Sequence, residues 1–573
     1  MGNRLLKFLS FRANSVAVSA ALIGIASMLS RFFGVYRDRL LSGTFGAGHE
    51  LDAYYAAFRF PDFFFNLFVL GAIGAGFIPV MSSYLAQDRG QEGPAAPSWH
   101  FVQRLATVIG VIITATSIFC GLFAPVLVPL VTPGFTPENI RLTVTLTRIM
   151  FLGGPILALS SVMGSVLQSH RRFLAYSLAP IAYNVGIIIG TLFLGRRYGV
   201  VGAAWGVVLG IILHFFIQFI AARSLGFRFR WRWQPRDAGV REVIRLAVPR
   251  TLSLAMSQVN LIILTSVATT IGIGALAVFN LANNLQSFPV SLIGISFAVA
   301  SFPVVAALAA EGRHAELVKE FSRLTRTVLY LAVPATVVFL LLRAQIVRVV
   351  LGTGRFSWND TVMTSDAMAY FIISLFAQAL IPIIARTFFA LHDVKTPLVT
   401  GVIAIVVERV LAYWLVRWGL GTPGLALAFS VGSVVNLALF WWLLRRRLGP
   451  LDERRIITAL GFMSVAGLAA VAVVQASKII IGGVVDMHSF LGVFTQGAIA
   501  GTLGLGAYFL VTLAFGMSEA KVAVGLVRRR LAPAVHRLRG RAKELECTVE
   551  VTTMAGQVDA QCAPDSSDNP PQL

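Results

Sequence analysis

Apolar runs long enough to cross a membrane as helices recur along this chain from Val16 to beyond Leu510. A spanning helix needs about 20 such residues to cross a hydrocarbon layer roughly 30 Å thick. A soluble chain of 573 residues would divide into domains joined by polar linkers, and no such pattern is present. With 57% apolar and 13% charged residues, about half the charged share of an ordinary soluble domain, the chain has too little polar surface to coat itself. Its apolar surface must face lipid. Unpaired backbone groups are costly in hydrocarbon, the runs are far longer than barrel strands, and barrel-like alternation is absent. The expected fold class is an all-α polytopic membrane protein, a bundle of transmembrane helices, and a transporter rather than an enzyme.

Segments separated by Gly, Pro or charged loops number roughly fourteen. The first is expected at 15–42, the second at 51–84, the seventh and eighth at 241–270 and 272–310, and the last at 489–516. Basic clusters follow the even-numbered spans: Arg171 and Arg172; Arg223, Arg228, Arg230, Arg232 and Arg236; Arg313, Lys319 and Arg323; Arg445 to Arg447. Positive charge gathers on cytoplasmic loops, so these loops and both termini are expected in the cytoplasm. Arg196 and Arg197 depart from the rule. The net charge of +22 therefore reads as topology rather than nucleic-acid binding. Arg4, Lys7 and Arg12 precede a first span that lacks a convincing cleavage site and reads as retained.

The segment Arg228-Phe229-Arg230-Trp231-Arg232-Trp233 suits a headgroup-level belt, a pattern that could also stack on RNA bases. Its place between two spans favours the membrane. Cys120, Cys547 and Cys562 show neither metal-ligand spacing nor a disulfide framework. With no P-loop, no HExxH and no nucleophile arrangement, the expectation is no catalytic residue, no metal and no cofactor.

Two stretches repeat. Ile78-Pro79-Val80 near the end of the second span matches Phe302-Pro303-Val304 near the end of the eighth, and Val131-Thr132-Pro133-Gly134-Phe135 matches Leu351-Gly352-Thr353-Gly354-Arg355-Phe356. Two six-span lobes of the same orientation are expected at 1–224 and 239–447. Two further spans follow at 453–517, then a basic, partly disordered cytoplasmic tail at 518–573.

Polar groups inside spans are expensive and normally face a bundle interior or a wet cavity. The first span carries Arg31, Arg37, Asp38 and Arg39, and the second carries Asp52, Arg59 and Asp62, whose spacing suggests one helical face. The alternative is that Asp38 and Asp52 pair with neighbouring arginines near the surface. Span seven carries Arg250, Ser253, Ser257 and Asn260, and span eight carries Asn280, Asn283, Asn284 and Ser287. These fit either ligand binding or interhelical hydrogen bonding. Glu408 fits a coupling cation or an arginine partner, the latter preferred.

Ser30-Arg31-Phe32-Phe33-Gly34-Val35-Tyr36-Arg37-Asp38, Phe45-Gly46-Ala47-Gly48, Asp52-Ala53, Phe77-Ile78-Pro79 and Pro133-Gly134-Phe135 occur in order. They are followed by Ala179-Pro180 with Asn184, Ser257-Gln258, Phe288-Pro289 and Asp393-Val394-Lys395-Thr396-Pro397. Together these resemble the MviN/MurJ lipid II flippases of the multidrug/oligosaccharidyl-lipid/polysaccharide transporter superfamily, over most of residues 20–515.

The resemblance implies alternating access by two lobes, a groove for a polyprenyl tail between the last two helices, and cavity arginines that meet pyrophosphate. Arg31 and Arg37 match two of those positions. Phe65, Asn66 and Leu70 stand where typical members carry an arginine pair and a glutamate, and Asn284 where they carry arginine. The expected substrate-binding set is Arg31, Arg37, Arg59, Arg250, Asn283 and Asn284, with Asp38, Asp52, Asp62 and Glu408 in gating or ion pairing.

The expected function is movement of an undecaprenyl-pyrophosphate-linked cell-wall precursor across the bacterial cytoplasmic membrane. Membrane potential or a cation gradient would drive it, and cell-wall synthesis proteins are candidate partners. The alternatives are an exporter of another polysaccharide lipid or drug, and a non-transporting scaffold.

Overall fold

The computed structural model describes residues 16–67, 71–88, 96–487, 489–522 and 524–525, with backbone only for 16–21, 71–75, 248–250 and 252–254. Arg4, Lys7, Arg12, Leu70, Cys547, Cys562 and the tail beyond residue 525 lie outside the described residues, as do the side chains of Arg250 and Ser253.

The chain runs through α1 (Val16–Phe45), α2 (His49–Ala57), α3 (Arg59–Phe65), α4 (Gly71–Gln87), α5 (Pro97–Val131), α6 (Pro137–Ser169), α7 (Phe173–Tyr198), α8 (Val200–Arg223) and α9 (Ala238–Thr269). It continues through α10 (Ala275–Ala310), α11 (His314–Leu341), α12 (Arg343–Leu351), α13 (Trp358–Ile373), α14 (Leu375–Ala390), α15 (Lys395–Arg417), α16 (Gly421–Leu448), α17 (Glu453–Gly482) and α18 (Phe490–Ala514). No strand occurs among the described residues. Helix starts follow local chemistry: Pro137 opens α6 behind a Thr136 cap, and a reciprocal Ser357–Asp360 capping box opens α13.

Among the described residues, 10 helices are long and apolar enough to cross a membrane, or 11 if α13 and α14, bent by 47°, form one span. The expected fourteen is compatible with this but is not reached by length and apolarity alone. The first, second and seventh expected spans make the difference, and they carry the whole charged shortlist except Glu408. The second is not one continuous helix, because α2 ends at Ala57 and α3 begins at Arg59, with Phe58 as the junction. In α9 only Ala255–Thr269 is apolar enough to be counted, as a shorter helix.

Within the first six expected spans, α1 packs on α7, α6 on α5 and α8, and α7 on α8. The α7–α8 pair is glycine-stitched. A Cβ at Gly186 would stand 2.2 Å from Gly210 Cα, and one at Gly190 would stand 2.1 Å from Gly206 Cα. Small residues let helix backbones approach where no hydrophobic drive separates helix from lipid.

In the next six, α13 packs on α10 and α16, and α15 on α16, while α9 lies against α4 of the first set as well as against α15. The turns after α6 and α14 are built alike. Arg171 (φ 58°) and His392 (φ 57°) take the left-handed conformation, Arg172 N–H donates to Leu167 O at 2.8 Å, and Asp393 N–H donates to Phe388 O at 2.9 Å. Both are Schellman endings, six expected spans apart.

Helices α17 and α18 pack on each other, α17 on α11 and α18 on α12. Tyr508 Oη donates to Tyr330 O at 3.0 Å, Lys478 Nζ to Leu341 O at 3.0 Å, and Gln345 Nε2 to Gln496 Oε1 at 2.8 Å. Arg326 and Glu519 form a buried ion pair at 2.6 Å, and Ala520 is fully buried beside it. The boundary expected at 518 therefore cuts through packed structure.

Candidate functional site

The charged residues of α1 to α3 meet α9, α10 and α12 along a seam. At the end away from the basic loops the seam is closed by backbone. Asp52, almost fully buried, accepts from Gly274 N–H at 2.6 Å and Ala277 N–H at 2.7 Å, and so caps the start of α10 from across the seam. A carboxylate there satisfies donors that a helix start leaves unpaired and complements its dipole. Ser42 Oγ donates to Leu351 O at 3.2 Å, Arg355 N–H donates to Gly43 O at 2.8 Å, and Arg39 donates to Val349 O.

The closure is reciprocal. Gly354, after α12, lies against Gly43 at the end of α1, where a Cβ would fall 2.2 Å from Gly43 O. Gly134, after α5, lies against the end of α9, where a Cβ would fall 2.1 Å from Thr269 O.

Deeper in the seam, Arg37 Nη2 bonds Asp38 Oδ1 at 2.7 Å and Nη1 donates to Asn184 Oδ1 at 3.1 Å, while Asn284 Nδ2 donates to Asp38 Oδ2 at 3.0 Å. Arg31, which is exposed, lines a cavity of about 150 Å³ together with Arg37, Asp38, Asn284, Ser287 and Phe288. Buried Arg59 donates from Nε to Thr265 Oγ1 at 2.6 Å and from Nη2 to Asn280 Oδ1 at 2.7 Å. Two arginines thus sit at the junction of the halves, each already held by a partner that an anion would have to displace or share.

Other expected site residues stand elsewhere. Asp62 does not share the seam face of Asp52 and Arg59. Three residues after Arg59 on α3, Asp62 stands roughly 60° round the helix from it, and it lines a cavity of about 530 Å³ within the first set of helices. Asn283 accepts from Gln286 of its own helix at 3.0 Å rather than joining Asn284 at Asp38. Arg250 lies on the backbone of α9, its side chain outside the described residues.

Among the described residues Glu408 has no arginine partner. It is buried and accepts from Asn260 Nδ2 at 3.1 Å, while the adjacent Arg409 is exposed on a diverging face. Gly432 of α16 makes room for it, since a Cβ there would lie 3.0 Å from Glu408 Cβ.

Sequence reasoning passed over Asn184 as a partner of Arg37, Thr265 as a partner of Arg59, and the polar lining of the larger cavity. His214 and Gln218, four residues apart on α8, were the legible signal, because a polar pair at that spacing in an apolar run marks an inward face.

A helical membrane bundle whose two halves share a turn plan, and which meet across a charged seam sealed at one end, defines the class of alternating-access membrane transporters. The chain belongs to the family described as lipid II flippase MurJ, whose model matches residues 41–495. It is 29% identical over 530 residues to a probable lipid II flippase MurJ of Rhizobium tropici, covering 89% of this chain and 95% of that one. It is 28% identical over 429 residues to the lipid II flippase MurJ of Burkholderia cenocepacia, covering 74% and 82%.

Its fold matches a solved lipid II flippase MurJ in an inward closed conformation, with TM-score 0.72 and 22% identity over 86% of this chain and 98% of that one. It also matches an inward-facing multidrug resistance MATE family transporter of the MOP superfamily, with TM-score 0.62 and 20% identity over 76% and 99%. The family is one of transporters, not enzymes, and the chain is a multi-span membrane protein.

Proposed function

We propose that this chain is a flippase that carries lipid II, an undecaprenyl-pyrophosphate-linked cell-wall precursor, from the inner to the outer leaflet of the bacterial cytoplasmic membrane. The observation that carries the reading is the convergence of Arg31, Arg37 and Arg59 on the seam between two sets of helices, in a chain of the lipid II flippase family. Arginine offers permanent charge and bidentate geometry for phosphate. The lobes 1–224 and 239–447 would rock about the seam, with α17 and α18 as a fixed appendage of the second lobe that offers the tail a groove.

The basic loops and both termini face the cytoplasm in this reading, so the seam is sealed on the outer side and receives substrate from the inner leaflet. Asn284 at Asp38 does neutrally what an arginine would do with charge. The anion clamp therefore rests on Arg31, Arg37, Arg59 and Arg250. Transport needs no cofactor and is driven by membrane potential or a cation gradient, for which Glu408 beside Asn260 is a candidate. Cell-wall synthesis proteins remain proposed partners.

The test is complementation of a bacterium depleted of its own lipid II flippase. At equal membrane levels wild type should restore growth, and Arg37→Ala and Arg59→Ala should not. Failure of well-expressed wild type would sink the reading.

A further inference from the structure

Of the cavities in the described residues, one lies beside the arginine seam without being lined by the arginines. It holds about 530 Å³ and lies among α3, α4, α6, α7 and α8 of the first lobe. No arginine or lysine lines it among the described residues. Its wall carries Asp62, Asn66, Tyr176, Tyr183, His214 and Gln218. Cavities that enclose organic ligands run from roughly 300 to 1,000 Å³, whereas a single water occupies about 30 Å³. The space is therefore the size of an organic group and far too large for a lone ion.

The polar groups on its wall are held from behind. Ser160 Oγ donates to Gln218 Oε1 at 3.0 Å and lies 2.7 Å from His214 Nδ1. The Gln218 amide and the second ring nitrogen of His214 remain as polar points for a ligand. Glycine at 164 leaves room for the Gln218 amide, since a Cβ there would stand 3.2 Å from it.

Neutral donors and acceptors, a carboxylate and the rings of Tyr176 and Tyr183 form a surface that takes hydroxyls at its polar points and stacks C–H faces on its rings. That is the chemistry of a sugar and not of a phosphate, for which no arginine or lysine stands in the lining among the described residues. The two sites share a wall, because Asn184, which holds Arg37 in the seam, is the neighbour of Tyr183 on α7.

We infer that the first-lobe cavity is a sugar-recognition subsite, which takes the glycan of a lipid-linked substrate while the seam arginines hold its pyrophosphate. This rests on the lipid-linked reading above.

The test uses the full chain in lipid nanodiscs with three probes: undecaprenyl pyrophosphate, the same carrier bearing a disaccharide, and the disaccharide carrier bearing a peptide. Wild type should bind the disaccharide carrier at least tenfold more tightly than undecaprenyl pyrophosphate, and adding the peptide should change little. Gln218→Ala and Tyr176→Ala should each erase most of that preference while keeping affinity for undecaprenyl pyrophosphate, which also reports that the variants are folded.

Equal wild-type affinity for bare and glycosylated carrier, a preference that appears only with the peptide, or a preference surviving in both variants would overturn the inference and leave the flippase reading standing. Loss of undecaprenyl pyrophosphate binding in both variants would equally overturn it, because the cavity would then serve the fold or the whole carrier. Absence of binding to all three probes by wild type would instead remove the lipid-linked reading itself.

Discussion

Single carboxylates have roles here that their residue type does not announce. Asp52 accepts two backbone N–H groups from the start of α10, and asparagine could accept with only one end of its side chain while aiming a donor at the other N–H. Asp52→Asn should therefore cost about 1–3 kcal/mol and lower the melting temperature of the purified protein. An unchanged melt would mean that the cap is dispensable.

Asp393, from a stretch that carried the family resemblance, has a structural task on the basic-loop side. Its carboxylate accepts from Thr396 N–H at 2.9 Å and Thr396 Oγ1 at 2.8 Å, and pairs with Arg447 at 2.8 Å. Burial alone would raise this carboxyl, but the Thr396 bonds and the Arg447 guanidinium outweigh it and hold the group below its usual range. A group depressed in the folded state stabilises fully above its unfolded value, about pH 4 for a carboxylate, and loses that contribution as pH falls through the folded value. The melting difference between wild type and Asp393→Asn should be present at pH 7 and should close on acidification below pH ~4. A gap that persists undiminished in acid would rule out the linkage.

At the level of elements, glycine position decides whether helices can touch. Gly190 on α7 has no space for a side chain against Gly206, whereas a Cβ at Gly401 on α15 meets nothing within 4 Å. Gly190→Val should destabilise by about 1–3 kcal/mol through overpacking, and Gly401→Ala should stabilise by roughly 0.5–1 kcal/mol through helix propensity. Fluorescence-detected size exclusion after heating would rank the two against wild type. The same order for both would show that backbone contact does not hold α7 to α8. Periodicity made these helices legible. It could not find the break at Phe58, because Tyr54, Tyr55 and Phe58 pack as rings across a backbone that stays near helical geometry. Nor could it see that the boundary at 518 cuts a buried ion pair, since Glu519 looks like any charge in a polar tail.

Across the whole molecule, the seam is sealed at one end by glycine turns docked onto the first helix of the opposite half. Gly354 has φ +56° and lies against Gly43, so Gly354→Val meets both a strained backbone and a backbone clash, and should hold that end open. In a cysteine-free background, a cysteine at Thr265, buried in wild type, should then react with an impermeant maleimide. It should stay protected when position 354 is glycine. Equal protection in both would show that the seal lies elsewhere.

Composition and the spacing of apolar runs determined that this is a helical membrane protein, because lipid leaves the backbone few alternatives and each run must match the bilayer's thickness. Motif order determined the family. Which charges face one another was decided only by tertiary structure. A polar residue inside a span must find a partner, but the partner lies 206 residues away for Arg59 and Thr265 and 148 for Asn260 and Glu408. Periodicity gives a residue's face on its own helix, while the identity of the opposing face depends on how the helices cross.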